Sequence, residues 1–148
     1  MPSHHLVLGP EIGEIPRMLD WVEECCTKAG VDEGVVAKLS LALDEAAANV
    51  INHAFSKAPP PHRFEVTLAI DTDRIAAELV DNGPAFDPLV AAEPDTASEL
   101  EERDAGGLGI HLIRRMMDRV TYRRVDGENR LRLEKTRFKR RDTPGPAR

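Results

Sequence analysis

Gly106-Gly107-Leu108-Gly109-Ile110-His111 is the stretch on which the reading of this chain turns. A glycine cluster directly before an amphipathic segment leaves backbone N–H groups and the positive end of a helix free to face phosphates. Taken alone it is a weak signal. Its meaning comes from two stretches upstream, Asp44-Glu45-Ala46-Ala47-Ala48-Asn49 and Asp81-Asn82-Gly83-Pro84-Ala85-Phe86-Asp87-Pro88. In that order the three read as one nucleotide site.

Hydrophobic spacing places these stretches on elements. His5-Leu6-Val7-Leu8 reads as a short strand stopped by Gly9-Pro10, and Ile12, Ile15, Leu19, Val22 and Cys26 give a helix over 12–29 that Gly30 ends. A second helix runs from an N-cap at Asp32 to about Phe55, with Val35, Leu39, Ala42, Leu43, Ala46 and Val50 on its buried stripe. Pro59-Pro60-Pro61 is a turn or linker. Phe64–Ile70 and Ile75–Val80 alternate as a hairpin around Asp71-Thr72-Asp73, so the sheet is at least partly antiparallel. A helix over Leu108–Met117 precedes strands at Arg119–Tyr122 and Asn129–Glu134, joined through Asp126-Gly127. Between Gly83 and Gly106 the chain is poor in large apolar residues and too long for an inert connection, which suggests a mobile lid.

Composition sets the outer bounds. The 148 residues, 41% of them apolar, suit one domain with a single sizeable core filled by aliphatic side chains. The chain has no apolar run of about 18 residues and no charged-then-apolar N-terminal order, so the expectation is a cytoplasmic protein without a membrane span. Cys25 and Cys26 are neighbours, a poor geometry for a disulfide, and read as reduced helix thiols. Residues 1–100 carry a net −12 and residues 101–148 a net +6. The acidic total argues against direct nucleic-acid binding, whereas such polarity can steer a protein partner. The basic run 137–148 reads as a flexible tail.

The chemistry sits on the second helix and the two glycine stretches. Glu45 and Asn49 lie four apart, and Asn52 and His53 continue the ridge one turn on, which aligns a carboxylate, an amide and an imidazole. A solvated helix face would show the same spacing; the Ala-rich, close-packing context and the glycine stretches favour function. Asp81 follows apolar Leu79 and Val80, so its carboxylate stands at the core's edge and can accept from a ligand amino group. Gly83 lets a flat ring approach the backbone. A phosphate ligand brings a divalent cation, and Mg²⁺ takes only one or two protein oxygens, here the side-chain oxygen of Asn49.

Glu45-x-x-x-Asn49, Asp81-x-Gly83 and Gly106-Gly107-x-Gly109 resemble the N box and the two glycine boxes of the GHKL ATPase superfamily. The small size, Phe86-Asp87-Pro88, and the run from Gly106 to Leu112 leading to Met116-Met117-Asp118 are similar to the anti-sigma-factor serine/threonine kinases within it. The likeness covers about residues 5–136, and the Walker motif of P-loop proteins is absent.

That resemblance implies a two-layer α/β (α+β) sandwich of the Bergerat type: a mixed, largely antiparallel sheet covered on one face by helices, as one domain over 1–136 with an ATP lid at about 84–106. It implies ATP and Mg²⁺, with Glu45 as general base, Asn49 on the metal, Asp81 on the adenine amino group and Gly83 making room for the base. Gly106, Gly107 and Gly109 would wrap the phosphates, and Arg103 would reach the terminal ones. His53, Phe86, Leu108 and Ile110 count with them as residues of the nucleotide site. The expected partners are a sigma factor, an anti-anti-sigma antagonist and a second copy in a homodimer. The implied function is an anti-sigma factor that phosphorylates its antagonist; the alternative is a nucleotide-sensing binding module that moves no phosphate. No histidine-bearing helix pair precedes the ATPase motifs, which sets aside an autophosphorylating sensor kinase for this chain alone.

Overall fold

The computed structural model describes residues 3–91 and 108–138. In chain order it contains β1 (Ser3–Leu8), α1 (Glu14–Lys28), α2 (Glu33–Asn49), β2 (Phe64–Ile70), β3 (Arg74–Asp81), α3 (Pro88–Ala91), α4 (Leu108–Met116), β4 (Arg119–Val125) and β5 (Glu128–Thr136). A π turn at Val50–Ala54 and a short 3-10 turn at Phe55–Lys57 continue α2. The helices lie on one face of a five-stranded sheet ordered β1-β2-β3-β5-β4.

Every neighbouring pair of strands is antiparallel, so the sheet is wholly antiparallel rather than the mixed, largely antiparallel one that the resemblance implied. Two helices in succession separate β1 from β2, so the chain turns back three times between them and β2 runs antiparallel to β1. β3 and β4, either side of α4, run parallel to each other, but β5 inserts between them and pairs antiparallel with both. The β4–β5 turn is Asp126-Gly127, with φ of 50° and 79°, the left-handed pair that a two-residue hairpin loop requires.

Strand alternation sorts the two faces. On β2, Phe64, Val66, Leu68 and Ile70 are buried while the residues between them are half-buried. These inward residues meet Met18, Val22 and Cys26 of α1, Leu39, Leu43 and Ala46 of α2, and Ile110 and Ile113 of α4. Ala42, Ala46 and Ala47 are buried small residues where α2 lies between α1 and α4. Full burial of Leu39 and Leu43 stabilises the fold by about 1.5–3 kcal/mol each. On α1 the buried stripe is Ile15, Met18, Val22 and Cys26; Ile12 falls before the first turn and stays half exposed. Burial pushes the Cys26 thiol up to about 12, in keeping with a packed, unreactive side chain.

The helix end expected at Gly30 is a Schellman motif: the Gly30 N–H donates to Thr27 O and the Val31 N–H to Cys26 O, with Gly30 at φ 76°. Arg137 closes on the same place. Its guanidinium donates to Ala29 O and, at 2.6 Å, to Asp71 O, so it joins the end of β5 to α1 and to the β2–β3 turn. At Ala29 this side chain satisfies a carbonyl that the end of the helix leaves open. Residues 139–148 of the expected tail lie outside the described residues.

The opposite face of the sheet is a lattice of ion pairs. Glu78 bonds Arg130 at 2.9 Å, Glu128 bonds Arg63 at 2.6 Å and Arg130 at 3.2 Å, and Glu65 takes His5 and Arg63. On this face Ala76 and Val80 are buried although they point away from the helices. Among the described residues no helix is long and apolar enough to cross a membrane.

Candidate nucleotide site

One row of the sheet explains where the site lies. Leu8, Phe64, Asp81, Asn129 and Arg124 stand side by side across all five strands. The adjacent inward row, Leu6, Val66, Leu79, Leu131 and Tyr122, is apolar apart from the tyrosine hydroxyl. The inner face thus turns polar at the end of β3, where the chain leaves the sheet for the loop from Asn82 to Asp87.

Asp81 and Asn129 are both 5% exposed. The Asn129 amide Nδ2 donates to Asp81 Oδ1 at 3.0 Å, and the Gly83 N–H donates to the same oxygen at 2.9 Å. Nδ2 also donates to Pro84 O at 2.9 Å, while Oδ1 of Asn129 accepts from the Tyr122 hydroxyl at 2.6 Å, from Arg124 at 3.1 Å and from the Phe86 N–H at 3.3 Å. Arg124 donates as well to Gly83 O at 2.7 Å. Burial pushes the Asp81 carboxyl above its ordinary range; the bonds from Asn129 and Gly83 and the Arg124 charge oppose that shift. Gly83 packs so tightly on the π turn that a Cβ would stand 2.7 Å from Ala54 Cβ. From outside, Asn82 ties the loop down, its Oδ1 accepting from the Arg63 N–H at 2.8 Å and its Nδ2 donating to Pro61 O at 2.9 Å.

The other wall is α2 against the first turn of α4. A Cβ on Gly109 would lie 2.8 Å from Glu45 Oε2 and 3.7 Å from Asn49 Nδ2, so the bare helix start rests directly on this carboxylate and amide. Between the walls opens a cleft lined by Ala46, Asn49, Val50, Ala54, Asp81, Phe86, Pro88, Ile110, Ile113, Tyr122, Asn129 and Leu131. It is apolar with a few convergent polar groups, the character of a small-molecule site.

The structure therefore brings together Glu45, Asn49, Asp81, Gly83, Phe86, Gly109 and Ile110. His53 is half-buried but is not among the residues lining the cleft; its backbone oxygen accepts from Ser56 Oγ. The reason is the π turn, in which the Phe55 N–H pairs with Val50 O five residues back, so an extra residue enters the turn and Ala54 takes the cleft position. Leu108 opens α4. Arg103, Gly106, Gly107 and most of the expected lid lie outside the described residues. The sequence reading missed Asn129, Tyr122 and Arg124. Only cross-strand register assembles them; the one local hint is an amide in the first turn of a strand that is otherwise charged and apolar in alternation.

The donor set suits Mg²⁺. Asn49 and Glu45, both against Gly109 at the start of α4, offer hard oxygens. Mg²⁺ takes one or two protein oxygens of this kind and completes its shell with phosphates and water.

Comparison with known proteins gives a consistent picture. The model of the histidine kinase-like ATPase domain matches residues 10–135. Serine/threonine-protein kinase BtrW of Bordetella bronchiseptica is 33% identical over 115 residues, 78% of this chain and 80% of that protein. Serine-protein kinase RsbW of Listeria monocytogenes is 31% identical over 98 residues, and the chain spans 62% of its length. In the crystal structure of the RsbU and RsbW domains of a Mycobacterium tuberculosis protein, the fold is shared at a TM-score of 0.66 and 15% identity, over 95% of this chain and 35% of that longer one. The chain belongs to the histidine kinase-like ATPase domain family, on the branch that holds the serine/threonine-protein kinases BtrW and RsbW.

Proposed function

We propose that this protein is an ATP-dependent serine kinase that binds a sigma factor and phosphorylates that factor's antagonist protein. The observation that carries the reading is the contact of Gly109 with Glu45 and Asn49: a glycine helix start, a carboxylate and an amide oxygen meet at one end of the cleft, while Asp81 waits at the other. The adenine amino group donates to Asp81, and the phosphates lie toward the start of α4, where the helix dipole and free N–H groups favour negative charge.

Asn49 would hold Mg²⁺, which neutralises phosphate charge as it develops. Glu45 orients the acceptor serine hydroxyl. The serine oxygen bonds to the γ-phosphorus as the bond to the bridging oxygen of ADP breaks, and the hydroxyl proton passes to the Glu45 carboxylate. Positioning and charge stabilisation supply most of the rate in such transfers. The kinship with BtrW and RsbW supports the protein acceptor.

The test is incubation with radiolabelled ATP and a candidate antagonist protein that carries an acceptor serine. Label on an antagonist serine supports the reading. Partner affinity that follows nucleotide occupancy with no label transferred would replace it with a nucleotide-sensing module.

A further inference from the structure

The six hydrogen bonds of the Asn129 side chain, to Asp81, Gly83, Pro84, Tyr122, Arg124 and Phe86, exceed what a strand residue needs. Their polarity is unambiguous. Arginine only donates, so the Asn129 oxygen must face Arg124, and a carboxylate only accepts, so the amide nitrogen must face Asp81. This locked amide bonds Oδ1 of Asp81, and the Gly83 N–H takes the same oxygen. Among the described residues no donor reaches Oδ2. Asp81 and Asn129 both line the cleft, and the bonds to Pro84 O and the Phe86 N–H hold the loop that carries Gly83 at the same depth.

We infer that Asn129, braced by Tyr122 and Arg124, is the positioning residue of the base pocket: it turns the Asp81 carboxyl so that Oδ2 alone is offered to the ligand, as an acceptor, and thereby selects a 6-amino purine over a 6-oxo purine. A base with an amino group at that position donates to Oδ2. A base with a carbonyl there sets oxygen against oxygen, and a buried site built to accept rejects it because neither atom is satisfied. The inference rests on the nucleotide reading of the cleft and adds the residue that makes it specific.

The experiment measures binding of three triphosphates to the full chain with Mg²⁺: ATP, ITP with its 6-oxo group, and purine riboside triphosphate with no substituent there. Wild type should prefer ATP over ITP. Asn129→Leu, nearly isosteric but without donors, should reduce that preference about tenfold, the size of one charge-assisted bond, while purine riboside triphosphate binds as before. Tyr122→Phe deletes only the 2.6 Å brace and should shift the same ratio in the same direction by a few-fold, which keeps the test open should Asn129→Leu not fold. Equal weakening toward all three ligands would reduce Asn129 to a structural role and overturn the inference. A wild type that binds all three without discrimination would overturn it too while leaving a nucleotide site in place; binding of none would remove both readings.

Discussion

Gly109 lies against Glu45 so closely that a Cβ built on it would stand 2.8 Å from the carboxylate Oε2. The obstacle is the far end of a flexible side chain, so an added methyl displaces Glu45 rather than the backbone. Alanine also favours helix over glycine by about 0.5–1 kcal/mol. Gly109→Ala should therefore leave the melting temperature unchanged or higher while phosphoryl transfer falls about 10²-fold, the usual consequence of misplacing a catalytic group by an ångström. Thermal denaturation beside single-turnover kinetics checks both halves; full activity in the alanine variant would mean the contact is not part of the mechanism.

Asp81 receives both its bonds on Oδ1. In Asp81→Asn the new oxygen must stay there to meet the same two donors, which leaves the amide nitrogen where Oδ2 was. Donor then faces donor at the adenine amino group. Millimolar Mg-ATP should raise the melting temperature of wild type by mass action and raise that of the variant much less. An unchanged wild-type midpoint with the fold intact contradicts the ATP site.

What the sequence made legible was what local spacing controls. The strand Phe64–Ile70 and the helix stop at Gly30 stand where the pattern put them, and Glu45, Asn49, Asp81, Gly83 and Gly109 converge because their motifs sit at element ends. Asn129, Tyr122 and Arg124 escaped because their roles depend on register between strands distant in sequence. His53 was placed on the ridge by a 3.6-residue period that the π turn breaks, a departure no propensity signals. The bonds of Arg137 to Ala29 O and Asp71 O were not legible either, because they join residues distant in sequence.

The homodimer remains a prediction on the family likeness and two exposed apolar side chains. Val7 is 59% exposed on β1, a strand at the sheet's edge, and Ile12, ahead of α1, is 50% exposed. Light scattering should give twice the chain mass, and Val7→Glu with Ile12→Glu should halve it. A monomer mass for wild type across a broad concentration range overturns the dimer.

Acid stability offers a local check at the start of α1. Glu14 is held down to about 2 by hydrogen bonds from Arg17 and from the Gly9 N–H. A carboxyl whose folded value is depressed stabilises above its unfolded value, near 4.5, and loses that contribution as pH falls through the folded one. Glu14→Gln should be less stable than wild type at neutral pH, modestly so for a solvent-exposed pair, and the two should converge between about pH 4.5 and 2 in denaturant titrations. A pH-independent difference would assign the effect to packing.

The central claim is that Glu45 acts on the acceptor hydroxyl within an assembled ATP site. Single-turnover transfer from Mg-ATP to the antagonist protein, measured for wild type, Glu45→Ala and Asn49→Ala, tests it most directly. Glu45→Ala should retain ATP and partner affinity yet lower transfer by about 10²–10⁴-fold, and Asn49→Ala should lose both binding and transfer. Unimpaired transfer by Glu45→Ala would contradict the account.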